Sequence, residues 1–193
     1  MKKRVIKKGK RIMIGLLGTI GSGKTAAGDY LEAKRGFYRV IMGNLVREVA
    51  RKEGLEITRE NLQKIQKKYR DKYGQEYFIK LTIKKLKESG KKNLLIDGIR
   101  TPTDARVAKE NWAVLILIDA KPSLRYERIV SRGREGEEKT TLADFKEDEA
   151  REWKLLNFKE TLKYADYKLL NNGNIKQLYS KIDKALEKIL KNA

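Results

Sequence analysis

Three features of the sequence predict an α/β fold built on a parallel sheet of five strands. Short apolar runs, too brief for helices, alternate along the chain with longer amphipathic stretches. The first run leads straight into three glycines, Gly18, Gly21 and Gly23, and then into a helix-like segment. Between the second and third runs lies more helix-forming sequence than a crossover between parallel strands needs.

The elements follow in order. RIMIGLL (11–17) reads as a buried strand and residues 24–34 as the next helix. FYRVIMG (37–43) is a short second strand. Residues 44–90 form an inserted helical subdomain with helical stretches over 44–54, 58–74 and 75–89. In the middle one, Leu62, Ile65 and Tyr69 recur at helical spacing, and Thr58 with Asn61 marks its entry. NLLID (93–97) and AVLILID (113–119) are rich in branched apolar residues and read as buried parallel strands with a helix between them. PSLRYERIVSR (122–132) is a helix with Pro122 in its first turn. GREGEEKT (133–140) reads as a mobile lid loop. One long polar helix is expected over 141–162, then strand DYKLL (166–170) and turn NNGN (171–174). The last helix would bury Ile175, Leu178, Tyr179, Ile182, Leu186, Ile189 and Leu190 on one face. No repeat or low-complexity linker interrupts this order, so residues 1–193 read as one domain.

Composition narrows the chemistry. The chain has neither cysteine nor histidine, which excludes disulfides, thiolate and imidazole catalysis and the usual zinc sites. Work is left to Lys, Arg, Asp, Glu, hydroxyls, backbone amides and an oxygen-liganded ion such as Mg2+. The net charge of +20 implies attraction to polyanions, with RNA a candidate through the basic arm 1–10; a thermophile-type surface accounts for it equally well. No apolar run approaches a membrane span and no signal peptide is evident, so no membrane partner and a cytoplasmic location are expected.

Gly18-Thr-Ile-Gly-Ser-Gly23-Lys24-Thr25 fits the pattern G-x-x-x-x-G-K-[ST] at every fixed position. Glycines let the loop amides turn inward around an anion, and the following helix adds its positive end. Gly18, Gly21, Ser22, Gly23, Lys24, Thr25 and Ala26 are therefore expected to cradle the phosphates of ATP. Lys24 would serve the β- and γ-phosphates and the Thr25 hydroxyl would ligate Mg2+. Asp97, closing the apolar run LLID, is the expected Mg2+-organising carboxylate. These features make the fold a three-layer P-loop NTPase.

Four further segments carry a family resemblance. MGNLVRE (42–48) resembles the Gly-Asp-x-x-Arg motif of nucleoside monophosphate kinases, and IDGIRT (96–101) a shortened Asp-Gly-Phe-Pro-Arg-Thr signature of adenylate kinases. ERIVSRGR (127–134) resembles their helix-to-lid segment, and ADYKLLNNG (165–173) the last strand and turn of dephospho-CoA kinases. Together they resemble the P-loop nucleoside monophosphate kinase superfamily, most of all the archaeal adenylate-kinase-related branch.

That resemblance implies phosphoryl transfer from ATP to a nucleoside monophosphate or related phosphorylated acceptor. Gly43, Asn44, Arg47 and Arg100 would bind the acceptor, the two arginines clamping its phosphate. Arg128 would lie over the donor adenine, and Asn172 and Gly173 would border it. Arg132, Arg134 and Arg151 would offset charge on the transferring group. The family's acid is replaced by Asn44, which favours an anionic phosphate acceptor over a hydroxyl that needs a base. A dephospho-CoA kinase, an RNA- or ribonucleoprotein-associated ATPase and a nucleotide sensor stand as alternatives.

Overall fold

The computed structural model describes residues 11–133 and 141–192. The basic arm, the lid after Gly133 and Arg134 lie outside the described residues. Five strands, β1 (Ile12–Leu17), β2 (Tyr38–Ile41), β3 (Asn93–Ile99), β4 (Val114–Asp119) and β5 (Tyr167–Leu170), form one sheet in the order β2-β3-β1-β4-β5. Every neighbouring pair is parallel, as near-continuous apolar strands require.

Alternation within β1 sorts the two faces. Ile12, Ile14 and Leu16 pack with Leu31 and Phe37, around helix α1 (Lys24–Arg35), and with Leu178, Ile182, Leu186 and Ile189 of α9 (Ile175–Asn192). Met13 and Leu17 face the opposite layer of α2 (Met42–Lys52), α3 (Arg59–Tyr73), α4 (Tyr77–Glu88) and α5 (Pro102–Glu110). Helices α6 (Pro122–Arg132), α7 (Leu142–Leu155) and α8 (Phe158–Leu162) follow β4. The architecture is the expected three-layer α/β fold.

Local signals explain most boundaries. The Thr58 side chain accepts from the Asn61 amide at 3.2 Å, capping α3 as its sequence suggests. Reciprocal capping boxes join Thr101 to Asp104 and Thr141 to Asp144 at the starts of α5 and α7. Pro122 stands at the first turn of α6.

Several expectations change. β2 stops at Ile41, so Gly43 lies inside the first turn of α2 instead of closing the strand, with Asn44 helical as expected. β3 continues beyond Asp97 to Ile99. The long helix over 141–162 is two, because Asn157 adopts φ 48° and turns the chain. Asparagine tolerates that left-handed geometry better than most residues, and the turn buries Phe158 while Leu155 stays exposed. Ile175, expected on the buried face of α9, is 45% exposed at the first residue of the helix. Among the described residues no helix is long and apolar enough to cross a membrane.

Candidate functional site

The glycine loop leaves the C-terminal end of β1 and is wedged on three sides. Gly18, Gly21 and Gly23 have φ values of 147°, 73° and 101°, backbone that side chains rarely adopt. A Cβ at Gly18 would run into the Ile118 carbonyl of β4, and one at Gly23 into the Asn171 amide group. At Gly21 it would sit 2.6 Å from the Arg125 carbonyl oxygen. The loop thus needs glycine both for its conformation and for close approach to its neighbours.

Two polar groups in this cradle lack full satisfaction. Ser22 is completely buried, and its hydroxyl has no hydrogen-bond partner. Lys24 lies across the loop, donating only a long 3.5 Å hydrogen bond to the Thr19 carbonyl. Burial lowers its pKa to about 8, with the positive charge of Arg100 as the next cause and that of Arg132 as a smaller one. Asp97 and Glu152 act on it in the opposite direction. These five side chains therefore share one electrostatic neighbourhood.

Asp97 is 6% exposed beside Leu16 on β3. Its Oδ2 accepts from both Nε (2.9 Å) and Nη2 of Arg39, which also reaches Asp29 through Nη1 at 2.5 Å. Arg39 comes from β2 and its side chain is 4% exposed. It passes directly over Gly28 of α1, where a Cβ would lie 2.5 Å from its Cζ. Sequence reasoning missed Arg39, since an arginine in a short strand carries no signal until the sheet order sets it beside Asp97.

Four arginines singled out by the sequence take four different positions. Arg100 faces the mouth of the loop, in a pocket that includes Gly18, Thr19, Ile20, Glu152 and Trp153. Its Nη1 pairs with Glu152 at 2.8 Å. Arg128 spans the loop and the turn after β5, donating to the Gly21 carbonyl at 3.3 Å and the Asn171 carbonyl at 2.9 Å. Arg47 stays on α2, where it donates to Asn44 Oδ1 at 3.0 Å and lies against Gly43. Arg151 is 72% exposed and pairs with Asp148, so from α7 it is Glu152, not Arg151, that acts on Lys24.

Two further residues were not anticipated. Asn171 is buried, and its Nδ2 donates to the Ser22 carbonyl at 2.9 Å, fastening the loop to the end of β5. Beside it, Asn172 accepts from the Lys121 amide at 2.9 Å. Arg125 is 3% exposed, bonded to the Ala120 carbonyl at 2.9 Å and paired through both terminal nitrogens with Glu149 of α7. The helical spacing of PSLRYERIVSR placed Arg125 on α6 without revealing that this basic residue faces inward.

The arrangement fits a polyphosphate. An unpartnered buried hydroxyl, a desolvated lysine and a loop closed to any Cβ at its glycines converge at one place. For Mg2+, Thr25 is exposed at the start of α1 and Asp97 stands at the loop. Among the described residues no cluster of three or more metal-ligating side chains occurs.

A family model described as an AAA domain matches residues 14–154. A UPF0200 protein of Thermococcus kodakarensis is 32% identical over 187 residues, covering 93% of this chain and 98% of that one. A UPF0200 protein of Pyrococcus horikoshii is 34% identical over 191 residues, covering 94% and 99%. Among solved structures, shikimate kinase from Acinetobacter baumannii, determined with shikimate, superposes with a TM-score of 0.59 at 19% identity, covering 94% of each chain. Shikimate kinase from Bacteroides thetaiotaomicron gives 0.62 at 14% identity, covering 92% of this chain and 98% of that one. At such identities these structures speak to the fold alone. The chain carries an AAA domain in a fold like that of shikimate kinase, and it belongs to the UPF0200 family.

Proposed function

We propose that this protein transfers the γ-phosphoryl group of ATP to a nucleoside monophosphate or a similar small phosphorylated acceptor. The observation that carries the reading is Lys24, desolvated across the glycine cradle with Arg100, Arg132 and Asp97 acting on it electrostatically. An acceptor oxygen attacks the γ-phosphorus as the bond to the ADP oxygen breaks. Lys24, Arg100 and Arg132 offset the charge on the moving group, so catalysis is chiefly positioning and neutralisation. Thr25 and Asp97 would hold Mg2+, which supplies further neutralisation of the phosphate oxygens. Arg47 and Arg100 would grip the acceptor, and Arg128, Asn172 and Gly173 would border the donor base.

A second reading rests on Glu152. A carboxylate beside Arg100, in a pocket with Gly18 and Thr19, can accept the proton of a hydroxyl nucleophile, a role Asn44 cannot fill. That favours dephospho-CoA or a polyol acid such as the shikimate bound by the Acinetobacter baumannii structure. ADP formation measured against AMP, CMP, deoxynucleoside monophosphates, dephospho-CoA and shikimate separates the two. Turnover with monophosphates alone supports the first reading, and turnover with a hydroxyl acceptor supports the second. Lys24→Ala should lower the productive rate by about a hundredfold or more. Unchanged turnover in that variant would falsify the role given to the loop.

A further inference from the structure

Trp112 sits where the backbone disfavours any side chain, and its indole gains almost nothing by burial. It follows the C-cap Asn111 of α5 with φ 61° and is 85% exposed. The corresponding turns after α1, α2, α3, α4 and α6 are made by Gly36, Gly54, Gly74, Gly90 and Gly133, all with positive φ. Folding alone would place glycine here too, because a left-handed tryptophan carries strain that its exposed ring does not repay.

Its surroundings indicate what the ring is for. Ile12 pairs with Asn93 and Ile14 with Val114, so Arg11 stands beside Lys92 and Trp112 one residue further along, level with Ile12, at the N-terminal ends of β1, β3 and β4. Tyr38, 40% exposed, opens β2 beside Leu94, two residues along from Lys92. Across the sheet the end of the strands reads Tyr38, Lys92, Arg11, Trp112: the two aromatics are three strand spacings apart, about 14 Å at about 4.8 Å per strand, with two cations between them and the four positions staggered along the strands. Lys87 donates to Asn111 at 2.6 Å, and Lys91 is exposed next to Lys92. Nearby carboxylates are engaged: Asp166 by Lys109, Asp183 by Arg35 and Glu110 by Arg106.

We infer that this edge, at the opposite end of the sheet from the glycine loop, binds single-stranded nucleic acid. Trp112 and Tyr38 stack on bases, while Arg11, Lys87, Lys91 and Lys92 meet phosphates. Exposed rings set among cations are what a strand with flat bases and a charged backbone requires. A lipid surface would call for aliphatic bulk, and the exposed Leu55, Leu155 and Leu170 belong to other parts of the fold. The inference does not depend on the phosphoryl-transfer reading.

The test uses the full chain with fluorescein-labelled oligo(U) and oligo(dT), an RNA duplex and phosphatidylglycerol vesicles. Anisotropy should rise with either single strand, and their ratio tells RNA from DNA preference. Trp112→Gly should weaken this binding about tenfold while the thermal midpoint holds or rises. Trp112→Phe should retain binding within about threefold. The pair Lys91→Ser and Lys92→Ser should reduce the slope of log affinity against log salt by about 1.4. Full single-strand affinity in Trp112→Gly, or capture by the duplex or vesicles alone, overturns the inference. If Trp112→Gly loses stability as well as binding, the lysine pair decides, and an unchanged salt slope overturns it.

Discussion

A single ammonium group sets two opposed pH trends. Lys24 has its pKa lowered from 10.5 to about 8, chiefly by burial, so the folded chain loses this proton before the unfolded chain does. Between about pH 8 and 10.5 the unfolded state binds more protons at this position, and the lysine's contribution to stability rises with pH. Polyphosphate affinity should run the other way, falling as pH passes 8 and the charge is lost. Calorimetric titration of ATP and thermal midpoints across that range should show both trends, and Lys24→Met should remove them. A second residue-scale prediction concerns Gly28. Alanine there must displace Arg39 from Asp97 and Asp29, so Gly28→Ala should cost about 1–3 kcal/mol in urea unfolding. The glycines of the loop were legible because their spacing is a local pattern. Arg39 and Asn171 were not, because each acts across more than 50 residues of sequence, on Asp97 and on the Ser22 carbonyl.

Elements that end in strong local signals emerged close to expectation. Pro122, Thr58 and the glycine after β1 mark their starts in sequence, and α6 spans Pro122–Arg132 as read. The stretch over 141–162 failed because nothing local announces Asn157 as a break; the reason is tertiary, the burial of Phe158 and Thr161. Thr161 donates to the Arg100 carbonyl at 3.2 Å, so the break also supports the backbone of a site residue. Asn157→Gly should leave α7 and α8 intact and hold or raise the urea midpoint, since glycine adopts the same turn without strain. The clasp between α6 and α7 should be far less tolerant. Glu149→Leu strands Arg125, which is 3% exposed, and should cost about 3 kcal/mol in the same measurement. Because Arg125 lies under Gly21, that variant should also weaken ATP binding.

At the scale of the whole molecule, the surplus of cations works against compactness. With 46 basic and 26 acidic residues, self-repulsion should be relieved by salt, and the thermal midpoint should climb between low and moderate ionic strength. A midpoint that fell instead would mean that the ion pairs of the surface outweigh the net field. The alternation of strands and helices was readable along the chain, whereas the order β2-β3-β1-β4-β5 and the two chemically distinct ends of the sheet appeared only once the strands were paired. That order leaves β2 and β5 outermost, and each has only four residues. Unpaired outer strands are templates on which a stranger's backbone can zip, and a heated, crowded solution multiplies such encounters. So short a seam, with the exposed Lys168 on one border, gives a passing chain few rungs to grasp, which favours solitary copies over fibrils.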